Sequence, residues 1–239
     1  MERRAFVLLM IILAGILVVS SHFLLPDEAL GQTSPKVLMI PREGFSADID
    51  LMLTKEIGVM TSMLKDAGFE VVVATRSGMP IVGSTSTLKP DKRLDQVNLN
   101  DYVGVVLACM AVGGIPGPPI APESIAIVQQ AVAAGKPVTA QMGAVIILAH
   151  AGVLKGKKYT YPADPTKFDP AKPSGSVPFV DPKFNDAIYS GKGVIQDGVI
   201  ITSGVCPNVE KVAKQQKMEG FIDGTPELTK MLISSLKKK

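Results

Sequence analysis

The segment from Lys136 to Gly152 limits the choice of fold more than any other part of the chain. Val138 to Gln141 reads as a short buried strand, Met142-Gly143 as an abrupt turn, and the apolar run after it as a helix stopped by Gly152. A strand that enters a helix through one tight turn is how α/β enzymes hold a nucleophile above a sheet. The residue at this apex is Met142, whose thioether has no proton to lose and cannot act as a nucleophile. The architecture of a catalytic elbow and the chemistry of its central residue therefore point in opposite directions.

Around this segment the chain alternates strands and helices. Lys36 to Ile40 reads as a first strand. Leu53, Ile57, Met60, Leu64 and Ala67 recur at helical spacing before Gly68, and Phe69 to Ala74 gives a second strand. A polar stretch with Gly78, Pro80, Gly83 and Pro90 reads as a loop or small hairpin. Tyr102 to Leu107 is a further buried strand, opening into a glycine- and proline-rich loop from Ala108 to Pro119. Glu123 to Ala134 is a helix. After Gly156 a short strand is expected at Lys158 to Tyr161, then a proline-broken surface excursion or partner contact from Pro162 to Pro182. Gly193 to Thr202 has the pattern of a hairpin turning at Asp197-Gly198, and the remainder is helical with a break near Gly220 to Pro226. Alternation of this kind predicts an α/β three-layer sandwich with a mainly parallel central sheet. Ligand sites in such sheets lie beyond the carboxyl ends of the strands, where both the glycine-rich loop and Met142 belong.

The N-terminus is of a different character. Arg3 and Arg4 precede an apolar run from Ala5 to Leu25, about 31 Å long as a helix and close to the ~30 Å of a bilayer core. Ala29-Leu30-Gly31 places small residues where a signal peptidase would cut before Gln32. Residues 1–31 thus read as a cleaved signal peptide or an uncleaved membrane anchor, and 32–35 as a linker. On either reading the domain at 36–239 is exported to the periplasm or the cell exterior. Cys109 and Cys206 would meet an oxidising compartment there, as a disulfide or as two small buried hydrophobes. A net charge of +3 with 20% charged residues, no Trp and few aromatics gives no footprint for nucleic acid.

Four segments taken in order resemble the ThiJ/PfpI family, the Parkinson-disease-protein and PfpI-like branch of the class I glutamine amidotransferase-like superfamily. Glu56 stands twelve residues before Gly68, as the family's helix glutamate stands before its own turn. Tyr102 to Leu107 is similar to the strand that leads to a Pro-Gly-Gly loop. Lys136 to Ala140, with Leu148 to Lys158, resembles the elbow strand and the helix after it. Val194 to Ser203 is similar to the late hairpin. The resemblance implies a flavodoxin-like fold and pairing as homodimers. It also implies a cysteine, often followed by histidine, where this chain has Met142 and Gly143. A second family histidine position is Tyr161, before Pro162, and the Pro-Gly-Gly loop is replaced by Ala108-Cys109-Met110.

Of the family's constellation only the acid, Glu56, is retained. Helical periodicity places it at the flank of its helix's apolar stripe, about 60° from the centre. It reads as a remnant or ligand contact, or else as an ordinary exposed glutamate. His150 lies some two turns down the elbow helix, too far to serve the apex. Glu56, Cys109, Met110, Met142, Gly143 and Tyr161 form the candidate pocket. Its sulfur atoms would suit Cu(I), but no Met-x-x-Met or Cys-x-x-Cys spacing accompanies them, so no metal or cofactor is expected. Three roles follow. The first is a binding or partner-interaction module without cysteine catalysis. The second is a hydrolase- or deglycase-like enzyme with a site rearranged around Glu56 and Cys109. The third is a structural subunit of a membrane protein assembly.

Overall fold

The computed structural model describes residues 34–44, 46, 48–112, 119–167 and 180–238. The N-terminal apolar segment, residues 113–118 of the glycine-rich loop and residues 168–179 of the proline-rich segment lie outside them. Among the described residues no helix is long and apolar enough to cross a membrane.

β1 (Lys36–Pro41) leads into one continuous helix built of α1 (Ile49–Leu51), a π-helical segment (Met52–Ile57) and α2 (Gly58–Asp66). β2 (Glu70–Thr75), the hairpin β3 (Ile81–Val82) and β4 (Thr87–Leu88), and β5 (Lys92–Arg93) follow. Next come β6 (Tyr102–Ala108), α3 (Pro122–Ala133) and β7 (Val138–Gln141), then a 3-10 turn (Met142–Ala144) and α4 (Val145–His150). β8 (Lys158–Tyr159) pairs with β9 (Ile188–Tyr189) outside the main sheet. β10 (Val194–Asp197), β11 (Ile200–Ser203), α5 (Pro207–Gln215) and α6 (Thr225–Lys237) complete the chain.

Seven strands form the sheet in the order β10-β11-β7-β6-β1-β2-β5, and only the β10–β11 pair is antiparallel. The central strands are apolar on both faces because both are covered. Leu38, Ile40, Val105 and Leu107 pack under α3 and α4, while Val37, Met39 and Val106 pack under α2 and α6. Gly104 in β6 permits the second of these contacts. A Cβ there would stand 2.9 Å from Leu236 Cδ2 and 3.2 Å from the Pro137 carbonyl. The three-layer α/β fold read from the sequence is the fold observed.

Three local features differ from the sequence reading. The strand expected at Lys158 to Tyr161 is only two residues long; Tyr159 within it and Tyr161 beyond it both pack on Phe184, with ring centroids 5.0 and 5.6 Å away. The edge strand β5 consists of Lys92 and Arg93 and carries no apolar periodicity to announce it. Glu56, placed by periodicity at the flank of its helix, is 0% exposed. It lies in the π-helical segment, where the Gly58 N–H reaches back five residues to the Leu53 carbonyl. The wider turn retards the phase of the helix and swings Glu56 into the core, a rotation that a 3.6-residue period cannot express.

Candidate functional site at the elbow

β1 and β6 are neighbours whose outgoing connections diverge. The helix after β1 crosses towards β2 on one face, and α3 after β6 crosses towards β7 on the other. Such a switch point leaves a crevice at the carboxyl ends of the two strands. Arg42 follows β1 there, Cys109 and Met110 follow β6, and Met142 stands at the end of the adjacent β7.

The backbone around this crevice is held in the left-handed region at three residues other than glycine: Met110 (φ 56°), Ala111 (φ 45°) and Met142 (φ 41°). Each such residue costs about 1–3 kcal/mol and persists only where surrounding contacts enforce it. For the loop after β6 the enforcing group is Glu56. Its Oε1 accepts from the Cys109 N–H at 2.8 Å and its Oε2 from the Met110 N–H at 2.9 Å. Burial pushes the Glu56 carboxyl well above the usual glutamate range, a nearby Cys109 charge adds to this, and the two N–H donors oppose it.

Cys109 is 1% exposed. Its Sγ lies 3.5 Å from the Met142 Sδ and accepts from the Ala111 N–H at 3.3 Å. The Cys206 thiol donates towards it, the Gly143 N–H and the Arg42 charge add to the effect, and together they hold its pKa below the ordinary thiol value against the cost of burial. The reciprocal effect pushes Cys206 well up. Cys109 is the member that holds the charge, because the two N–H groups and the guanidinium lie on its side. Both residues are free, buried thiols, so the disulfide considered from sequence is not formed.

Gly143 is fixed by its surroundings. Its carbonyl accepts from Arg42 Nη1 at 3.1 Å, and a Cβ would stand 3.3 Å from Cys109 Sγ and 3.5 Å from Arg42 Nη1. Tyr161 is 8% exposed, and burial followed by the Cys109 charge raises its phenol pKa. The structure thus gathers Glu56, Cys109, Met110, Met142 and Gly143 at one crevice, with Tyr161 buried close enough to sense the Cys109 charge. His150 is engaged elsewhere, with Nε2 3.3 Å from Asp181 Oδ2. Among the described residues no group of three or more His, Cys, Asp and Glu side chains is placed to hold a metal.

Two groups at the site escaped the sequence reading. Arg42 is the residue directly after β1, and its place on the rim was the available signal. Gln141 is buried beneath the elbow, where its amide donates to the Val205 carbonyl (2.9 Å), Asp223 Oδ1 (3.2 Å) and Thr225 Oγ1 (2.8 Å). No local pattern links these four residues, so nothing in the sequence brought them together.

Residues 36–216 match the model of the DJ-1/PfpI family. The chain belongs to that family. An uncharacterized protein of Methanocaldococcus jannaschii is 33% identical over 136 residues, and the match spans 55% of this chain and 58% of that protein. Among solved structures, the ThiJ/PfpI domain protein from Brachyspira murdochii superposes with a TM-score of 0.57 at 15% identity, covering 87% of this chain and 99% of that one. The Rapid Encystment Protein 24 KDa of Francisella tularensis gives 0.58 at 16%, covering 84% and 99%. Drosophila melanogaster DJ-1beta gives 0.52 at 22%, covering 85% and 98%. At these identities the structural likeness speaks for the fold.

Proposed function

We propose that the chain is a binding module on the DJ-1/PfpI fold, without the family's cysteine hydrolase or deglycase chemistry. The basic residues and apolar run of its N-terminus support export, with the domain tethered or released beyond the membrane. The observation that carries the reading is the state of the elbow. Met142 occupies the strained apex and offers no nucleophile, while Glu56 has both oxygens engaged by the backbone N–H groups of the neighbouring loop. The resemblance supports homodimerisation, and an apolar N-terminus that stays attached would put the domain within reach of a membrane protein partner.

A second reading draws on the cradle around Cys109, whose N–H donors and nearby guanidinium would favour a thiolate nucleophile shifted one strand from the family position. Turnover of glyoxal-type and glycated substrates separates the two. Background rates in the wild-type chain, unchanged in Cys109→Ser, are expected for a binding module. Turnover that vanishes in Cys109→Ser would overturn it in favour of the relocated nucleophile.

A further inference from the structure

A second concavity opens on the same rim, over the face covered by α3 and α4. It has a volume of about 330 Å3 and lies at the ends of β1 and β2, beside β5 and the first turn of α3. Arg42, Arg76 and Arg93 line it from three different segments, with Ser77 and Ser124 between them. Arg93 is partly neutralised by Asp95, with Nη2 to Oδ2 at 2.9 Å. Glu43 also lines the cavity, but its carboxylate is turned onto the N–H groups of Arg76 (2.5 Å) and Ser77 (3.1 Å) and onto the Ser77 hydroxyl. It therefore shapes the turn after β2 and leaves the Arg76 charge without an acidic partner among the described residues.

The end of α3 at this wall is twelve residues from its far terminus, and no side chain caps it. Pro122 has no N–H, and Ser124 and Ile125 donate to the Ala121 carbonyl, so the Glu123 N–H is the backbone donor this end offers beside the helix dipole. An independent observation points to a ligand. Ser124 is 3% exposed and lines the cavity, yet its hydroxyl has no hydrogen-bond partner among the described residues. Opening into the cavity, this hydroxyl can donate to a bound oxyanion. Ile40, Leu94, Ile120 and Ile147 supply an apolar wall beside the polar groups.

We propose that this cavity binds the phosphate group of a small phosphorylated molecule. Donors arriving from β1, β2, β5 and the start of α3 converge from several directions, which suits a tetrahedral oxyanion better than a planar carboxylate. The apolar wall and the volume leave space for an organic remainder. The inference deepens the binding-module reading and rests on it for its biological meaning; Arg42 is shared with the elbow, whereas Arg76, Arg93 and Ser124 belong to this cavity alone.

Calorimetric titration with inorganic phosphate and with glycerol 3-phosphate tests it, with succinate and equal ionic strengths of sodium chloride as controls. Saturable binding of phosphate is expected, tighter for glycerol 3-phosphate and absent for succinate. Arg76→Ala and Ser124→Ala should each weaken it at least about tenfold, with circular dichroism confirming an intact fold; Arg76 is exposed, so its loss leaves the core untouched. The inference is overturned by an absence of saturable phosphate binding, by binding that both variants leave unchanged, or by succinate binding as tightly. None of these outcomes would touch the elbow, which is read by turnover and Cys109→Ser alone.

Discussion

Glu56 and Cys109 face the same difficulty, a charge in a dry interior, and the fold resolves it in opposite directions. Burial favours the protonated form of Glu56, whereas N–H donors, a thiol and a guanidinium favour the thiolate of Cys109. The folded chain keeps the Glu56 proton at pH values where the unfolded chain, near the ordinary value of about 4.3, has released it. The unfolded state then binds fewer protons, so this group's stabilisation is full below that value and is lost as pH rises towards the folded pKa. Urea midpoints measured from about pH 5 to pH 8 should fall more steeply for the wild-type chain than for Glu56→Gln. At the acid end of that range the variant should be about 1–3 kcal/mol less stable, because an amide presents an N–H to a backbone donor that needs an acceptor, and the gap should narrow as pH rises. Cys206→Ala removes the largest influence holding the Cys109 pKa down. Ultraviolet titration of thiolate absorbance should place the remaining thiol's pKa higher than in the parent.

Residue-scale packing also decides how the family elbow could be restored. A Cβ at Gly143 would press on Cys109 Sγ at 3.3 Å and touch Arg42 Nη1 at 3.5 Å. Gly143→Ala should cost about 1–3 kcal/mol by overpacking, read from chemical unfolding, and a histidine there would cost more. Met142→Cys alone is the variant that should give a peroxide-sensitive thiol on an intact fold.

At the scale of elements, the strands and helices with apolar periodicity were legible, and those that depend on distant partners were not. β1, β6 and β7 announced themselves as apolar runs, and the β10–β11 turn at Asp197-Gly198 as a glycine in the left-handed region, where Gly198 has φ 64°. β5 and β9 are two-residue strands defined by what they pair with, a property local sequence does not carry. The π-helical segment sits between legible and hidden: the helix was read correctly and Glu56 was assigned to the pocket, but periodicity put it at the flank of the apolar stripe instead of in the core. The β3–β4 hairpin has a comparable long-range support. Asp50 in α1 accepts from the N–H groups of Ser84 (2.7 Å), Thr85 (2.9 Å) and Ser86 (2.8 Å), which lowers its pKa to about 2. Gly104→Ala belongs to this scale as well. The Cβ would press β6 against α6 and the chain entering β7, and thermal unfolding should show a loss of about 1–3 kcal/mol.

For the whole molecule, the family, the layer order and the rim that carries the crevice followed from the order and spacing of segments. The methionine at the elbow was also legible, being a single letter. Its surroundings were not: Arg42, Gln141 and the approach of Cys206 to Cys109 depend on how four separate strand ends meet. Ser34–Lys239 forms one contact unit. A chain beginning at Ser34 should therefore unfold in one cooperative transition, as differential scanning calorimetry would show.

The hydrogen bonds beneath the elbow have a consequence for the order in which the protein can be made. Gln141 is joined to partners 64, 82 and 84 residues further along the chain. A ribosome that has released the central sheet as far as β7 has not yet supplied Val205, Asp223 or Thr225, so the buried amide at the floor of the elbow has nothing to bond. The crevice is thus among the last parts of the domain to close during synthesis. Chains interrupted before α6 should retain sheet and helix yet leave the elbow open to solvent, with Cys109 reacting with thiol reagents that the finished protein resists.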